Sequence, residues 1–167
     1  MARVIAVAKS AEPGMPKYVV DEINLLANWG VEDDYHAGIT VRHRYLARKY
    51  PTRPNMRQVN LLHVELFPFL AQELGTEVKP GQMGENITVE GLNLMDLKVR
   101  TRLRLGDTAV VEITEARIPC KNLNYLDQNL LTTVAKKKGQ KRPNAGMLGI
   151  VIEGGRVRAG DVILIEL

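Results

Sequence analysis

The sequence holds one cysteine, two phenylalanines and one tryptophan in 167 residues, and aromatic residues make up only 5% of it. A single cysteine excludes an intramolecular disulfide, and with it the cross-linked frameworks of small secreted domains. No apolar run approaches the ~20 residues that a helix needs to cross a bilayer. The opening stretch MARVIAVAKSAEPG is interrupted by Arg3 and Lys9 and has no long apolar centre, so it does not read as a signal peptide. The expected location is therefore a reducing cytoplasm, with no membrane partner. Neither charge sign is scarce: Lys and Arg total 23 against 19 Asp and Glu, a net charge of +4. That balance suits an anionic partner without singling out nucleic acid. The most basic stretch, KKKGQKR from Lys136 to Arg142, has no interleaved aromatics for base stacking and reads as a solvated helix end, so no nucleic-acid partner is expected.

Hydrophobic residues at 45% and charged residues at 25% describe a soluble globular chain. Its length and the lack of a linker make residues 1–167 one domain. Most of the patterning is β. RVIAVAKS is a short apolar run ended by Glu12-Pro13-Gly14, and RQVNLLH and ENITVEG alternate, with Ile87 and Val89 on one face of a half-buried strand. TRLRLGDTAVVEITEA divides into two strands at Gly106-Asp107. In GMLGIVIEGGRVRAGDVILIEL, Gly154-Gly155 carries a two-residue hairpin signal. RLGD at Arg104 and RAGD at Arg158 echo each other before apolar runs, where aspartate can bond local amides.

YVVDEINLL is ambiguous between a strand and a short helix, and GVEDDYHAG, bracketed by Gly30 and Gly38, reads as a loop. ELFPFLAQELG predicts a helix beginning or kinking near Phe67, because Pro68 fits poorly in a helix interior, with Gly75 as its C-cap. NYLDQNLLTTVAKKK is the strongest helical pattern, with Leu123, Leu126, Leu130, Leu131 and Val134 at helical spacing. Many short strands with two helical segments predict a mainly β fold, a closed or partly open barrel with a few helical insertions.

Three stretches can carry chemistry. Cys120 follows Pro119 just past a strand, with Arg117 before it and Lys121 after it. Adjacent cations favour a thiolate, which can ligate a soft metal, carry a persulfide or attack an electrophile. The plainer reading is a small packed apolar residue. In DDYHAG, Asp33, Asp34 and His36 can bind a hard cation or transfer protons, or simply be surface. In PGQMGENI, Gly81 and Gly84 allow a tight loop whose amides can meet an anion, and Asn86 offers donor and acceptor; the loop lacks the lysine and spacing of a phosphate-binding P-loop.

Taken in order, GVEDDYHAG, RQVNLL, PGQMGENITVEGL, RLGDTAVVEITEARIPCKNL and GRVRAGDVI resemble the landmarks of MOSC domains, over about Gly30 to Val162. The family is named for the C-terminal domain of molybdenum cofactor sulfurase, and the short length is similar to its small stand-alone bacterial members. The resemblance implies a fold similar to the pyruvate-kinase barrel domain and makes Cys120 the family cysteine. In relatives such as the mitochondrial amidoxime-reducing component that residue is a ligand of molybdenum held by a pterin. In the sulfurase relatives a persulfide-carrier role was proposed for it, and some stand-alone bacterial relatives reduce N-hydroxylated bases.

By the same resemblance the cofactor is the molybdenum cofactor (molybdopterin), with Cys120 as metal ligand. Arg117 neutralises the anionic centre, and Asn86 and Gly84 contact the pterin or oxo ligands. Arg57 and Gln58 serve the pterin tail, and Asp34 and His36 supply protons at the mouth. The implied partners are a small-molecule substrate and a separate electron-donor protein. A persulfide carrier on Cys120 and a non-catalytic cofactor-delivery module are the alternative readings. One departure stands out: family loops commonly begin Gly-Asp-x-His-x-Gly, and Asp33 occupies that first glycine position, where a positive φ would cost aspartate less than most residues.

Overall fold

The computed structural model describes residues 1–166. Its centre is an eight-stranded sheet that contains β1 (Arg3–Lys9), β2 (Tyr18–Val20), β5 (Val59–His63), β6 (Ile87–Glu90), β7 (Arg102–Leu105), β8 (Ala109–Ala116), β9 (Met147–Glu153) and β11 (Ile163–Glu166). A smaller three-stranded sheet holds β3 (Glu22–Leu26), β4 (Gly30–Val31) and β10 (Gly155–Arg158). The helices are α1 (Arg44–Lys49), α2 (Leu66–Leu74) and α3 (Leu130–Val134).

The large sheet runs β11-β7-β8-β9-β5-β6-β1-β2. Its neighbours are antiparallel except β5 and β6, which are parallel and therefore need a crossover; α2 lies in that connection. The sheet curls until its ends approach. Arg3 forms an isolated bridge with Val162, and the Val4 amide donates to the Asp161 carbonyl at 2.8 Å. The result is the partly open form of the expected barrel, joined by a bridge rather than a full ladder. Inside it, Val4, Leu61, Ile87, Val89, Leu103, Val111, Ile113 and Met147 form the main core.

A second core lies on the outer face of β5, where Leu62 packs with Leu66, Phe67, Leu70, Met83, Leu130 and Val134. This corrects the half-buried reading of ENITVEG: Ile87, Thr88 and Val89 are all buried, because the barrel interior covers one face of β6 and the outer layer covers the other. In α2, Pro68 is the third residue, where its missing amide has no intrahelical acceptor to lose, and Gly75 closes the helix in the left-handed conformation.

Two other expectations are corrected. The long helix predicted near Asn124–Lys138 is a 3-10 turn, Lys121–Tyr125, followed by the short α3. Polar side chains between them compete for the backbone: Asp127 Oδ1 accepts from the Asn129 amide at 2.8 Å, and Asn124 Oδ1 from the Leu131 amide at 2.9 Å. Gly154-Gly155 is also not a hairpin turn. β9 pairs with β8 and β5, whereas β10 leaves for the small sheet and pairs with β3.

The double glycine is the corner at which the chain changes sheets, and close packing explains its composition. A Cβ on Gly155 would collide with Thr108 Oγ1 and lie 2.8 Å from the Ala109 amide nitrogen. Gly155→Ala should therefore destabilise the fold by about 1–3 kcal/mol, as overpacking does. Urea unfolding measures this, and an unchanged midpoint would contradict the packing argument. The echoed turns do meet: β7 and β11 pair, the Gly106 amide donates to the Val162 carbonyl, and Asp161 Oδ2 accepts from the Arg158 amide at 2.9 Å.

Candidate functional site

Cys120 is exposed rather than packed in the core, so the plainer reading of this residue fails. It precedes the Lys121–Tyr125 turn in an extended conformation and makes no side-chain cap bond, which leaves the thiol uncommitted. Together with Lys17, Tyr35, His36, Arg44 and Arg117 it lines a cleft of about 340 Å³, to which Arg57, Asn60, Gly84, Asn86 and Lys121 also contribute. Among the described residues no carboxylate lines this cleft. A larger hollow of about 640 Å³ lies elsewhere, bordered by His63, Glu65, Asp96, Lys141 and Arg142. It mixes acids with bases and holds no thiol, and it contains none of the candidate residues.

The back of the cleft is a buried ion pair that the sequence did not disclose. Lys17 Nζ donates to Asp34 Oδ1 at 2.6 Å and Oδ2 at 2.7 Å, and the two side chains are 3% and 0% exposed. Asp34 also accepts from the Ser10 amide at 3.0 Å, the His36 amide at 3.1 Å and Asn86 Nδ2 at 3.2 Å. Burial opposes its charge, but the Lys17 charge and the hydrogen bonds donated by Lys17 and the Ser10 amide hold its carboxyl well below the usual range. Burial lowers Lys17, against the pull of Asp34. A lysine one residue ahead of an edge strand ordinarily signals an exposed position, so nothing local marked Lys17; only its pairing acid, distant in sequence, makes burial tolerable.

Asn86 lines the cleft, but most of its amide is spent on structure. Nδ2 donates to the Ala8 carbonyl at 3.1 Å and to Asp34, while Oδ1 accepts from the Asn60 amide at 3.1 Å. Gly84 sits at φ 84°, and a Cβ there would come within 2.9 Å of Met15 Cγ, so the chain approaches the cleft wall with bare backbone. Glu85 beside it is fully buried; Oε1 accepts from the Gly81 amide at 2.6 Å and from Thr88 Oγ1 at 3.1 Å, bracing the glycine loop. Burial raises the Glu85 pKa and so favours its neutral form.

Arg117 donates to the Met83 carbonyl at 2.5 Å, which ties the strand leading to Cys120 to this same loop. Burial lowers its pKa, with Glu85 and Cys120 opposing, and a guanidinium so placed remains a cation. Arg57 lines the cleft and is paired with Glu115 at 2.7 Å. Gln58 does not face it: Nε2 donates to the Asn55 carbonyl at 3.1 Å and Oε1 accepts from the Val151 amide at 3.0 Å, so its amide braces β9. Sequence reasoning missed Lys17, Tyr35, Arg44 and Tyr45, which the fold brings to the cleft from the residue before β2, the Gly30–Gly38 segment and the start of α1.

Residues 35–164 match the MOSC domain model. The chain belongs to the MOSC domain family. This family is linked to the molybdenum cofactor. Solved structures similar to this MOSC chain include YuaD from Bacillus subtilis, 20% identical over 98% of this chain and 94% of that one, with a TM-score of 0.78. YiiM from Geobacillus stearothermophilus is 18% identical over 100% and 76% of the two chains, with a TM-score of 0.70. YiiM from Escherichia coli is 22% identical over 99% and 70%, with a TM-score of 0.67. At these identities the likeness concerns the fold. No curated protein matches the sequence. The matched span includes Asn86, Arg117 and Cys120, while Lys17, Asp33 and Asp34 precede it.

The departure at Asp33 now has a geometry. Asp33 has φ 64°, the left-handed conformation that a glycine would take freely. Its carboxylate is 76% exposed, lies 3.6 Å from Lys9 Nζ and does not line the MOSC cleft, so it adds no negative charge at the site. Left-handed backbone costs a non-glycine residue about 1–2 kcal/mol, and glycine's extra chain entropy costs about 0.5–1 kcal/mol. Asp33→Gly should therefore shift stability by no more than about 1.5 kcal/mol, in the stabilising direction. Thermal or urea unfolding reads this directly, and a marked loss would show that the aspartate side chain is needed.

Proposed function

We propose that this MOSC protein binds the molybdenum cofactor in the Cys120 cleft, with Cys120 as its thiolate ligand, and reduces N-hydroxylated small molecules with electrons from a separate donor protein. One observation carries the reading: an uncommitted thiol opens onto a cleft whose charged lining is entirely cationic. Lys17 is neutralised by Asp34 and Arg57 by Glu115, which leaves Arg44, Arg117 and Lys121 as surplus positive charge. That surplus suits an anionic pterin phosphate and metal centre, and the volume falls in the ~300–1,000 Å³ range of cofactor and ligand sites. A persulfide carrier would need the exposed thiol but not this surrounding charge.

When bound, the cofactor supplies a metal that takes up and passes on the electron pair consumed in cleaving an N–O bond. The protein's residues do the rest. Cys120 holds the metal, and Arg117, fixed by the Met83 carbonyl, keeps positive charge beside it. Gly84 offers bare backbone, and Asn86 retains one acceptor lone pair after bracing Ala8, Asp34 and Asn60. His36 lines the mouth as the proton-bearing group facing the substrate, whereas Asp34 acts from behind by orienting it. The test is expression in a host that makes the cofactor, followed by molybdenum and pterin quantification per chain. Stoichiometric metal and pterin support the reading. Protein with neither overturns it, and a removable adduct of one sulfur atom on Cys120 would then indicate the carrier.

A further inference from the structure

The Lys17–Asp34 pair has a third member whose chemistry is constrained by geometry. Lys17 Nζ lies 3.2 Å from Nδ1 of His36. An ammonium has three protons and no acceptor, so in this contact lysine donates and Nδ1 receives. A ring nitrogen that accepts is unprotonated, which puts the imidazole proton on Nε2. The opposite arrangement, Nδ1–H donating to Asp34 Oδ2, would span 3.7 Å, beyond hydrogen-bond distance, and would aim an N–H at the ammonium. The ring has little freedom to escape this choice. The His36 amide is held by Asp34 Oδ2, its carbonyl accepts from Asn55 Nδ2 at 2.7 Å, and its ring meets Tyr35 edge-to-face at 5.3 Å.

We propose that Lys17 is a positioning residue that holds His36 as the neutral Nε2–H tautomer, so that the ring presents the cleft with a hydrogen-bond donor for an anionic oxygen of the bound ligand. Nε2 has no partner among the described residues, and His36 lines the cleft. The charged side chains lining the cleft are cations, which cannot accept a hydrogen bond and which draw an anionic ligand toward this inward-facing donor. Burial and the nearby Lys17 and Arg117 charges lower the His36 pKa against the influence of Asp34, in keeping with a neutral ring. The tautomer itself is independent of the cofactor; only the identity of the oxygen rests on the proposed function.

The experiment is a two-bond nitrogen–proton correlation spectrum of the full-length chain, labelled with 15N-histidine, without cofactor and at neutral pH. His36→Gln assigns the signal among the three histidines. His36 is expected to be protonated on Nε2 alone. In Lys17→Met the bias is lost and the signal becomes a mixture of tautomers or the Nδ1–H form. A wild-type ring protonated on Nδ1 or on both nitrogens overturns the inference, as does a Lys17→Met ring that remains wholly Nε2–H. Should Lys17→Met fail to fold, the charge-balanced Lys17→Met/Asp34→Asn variant is measured with the same expectation. Because the spectrum needs no cofactor, an Nε2–H ring in a chain that loads no molybdenum would retain this inference and reject the functional reading, and the converse would do the reverse.

Discussion

Cys120→Ser is expected to abolish molybdenum retention, lowering metal per chain by more than about tenfold, since even loss of an outer partner of a metal site costs about 10–100-fold in affinity. The reason is ligand chemistry. A thiolate is a soft anionic donor suited to a soft metal, whereas a serine hydroxyl stays protonated at neutral pH and offers only a weak neutral oxygen. The substitution should leave folding intact, because Cys120 is exposed and its side chain makes no cap bond. Any reduction of N-hydroxylated compounds should fall with the metal. The check is metal and pterin analysis of wild type and variant purified side by side, with unfolding curves as the control for structure. Equal molybdenum in both proteins would remove Cys120 from the ligand set.

Lys17→Met should produce the largest stability loss of any change at the site. Removing one partner of a buried ion pair leaves the other charge uncompensated and costs about 3–5 kcal/mol. Both side chains here are essentially inaccessible, so solvent does little to soften the effect. The double variant Lys17→Met/Asp34→Asn, which removes both charges, should recover much of the loss. Urea unfolding at neutral pH decides it, and a loss under about 1 kcal/mol would show that the pair is not a closed electrostatic unit.

The pH dependence follows from the depressed Asp34 pKa. A carboxyl whose folded pKa lies below its unfolded value contributes fully above the unfolded value, near 3.9, and its contribution is lost as pH falls from there through the folded value. The stability gap between wild type and Lys17→Met should therefore be complete at neutral pH. It should begin to narrow as pH falls through the Asp34 pKa of the variant, which burial without Lys17 pushes up, and close further in strong acid as Asp34 of the wild type is protonated.

Cys120 was legible as a candidate because its neighbours Arg117, Pro119 and Lys121 are adjacent in the chain and their influence on a thiol is local. Asp33 was legible for the same kind of reason: a residue standing where a loop expects glycine raises a question about φ, and the answer is φ 64°. The Leu66–Leu74 helix and its Gly75 cap were equally local. The failures share the opposite property. Gly154-Gly155 has hairpin composition, yet the partner of β10 is β3, far away in sequence, and no local signal specifies a change of sheet. The helical spacing places Leu123, Leu126, Leu130 and Val134 against the outer core but not Leu131, and Asn124 and Asp127 divert the backbone amides that a continuous helix would need. Gln58 neighbours a cleft residue in sequence and points elsewhere, since successive residues of an extended chain face opposite sides.

By itself the sequence determined what local chemistry controls: a mainly β chain, the Leu66–Leu74 helix with its Gly75 cap, the family landmarks, and a cysteine set among cations. Tertiary structure alone decided how far the barrel closes and which strands share a sheet. It also decided that Lys17 is buried on Asp34, and which nitrogen of His36 Lys17 contacts. The physical reason is that strand pairing and ion-pair burial are settled by groups many residues apart. A lysine or a glycine has the same composition wherever it lies, and only its distant partner determines whether it is solvated, buried or turned toward a ligand.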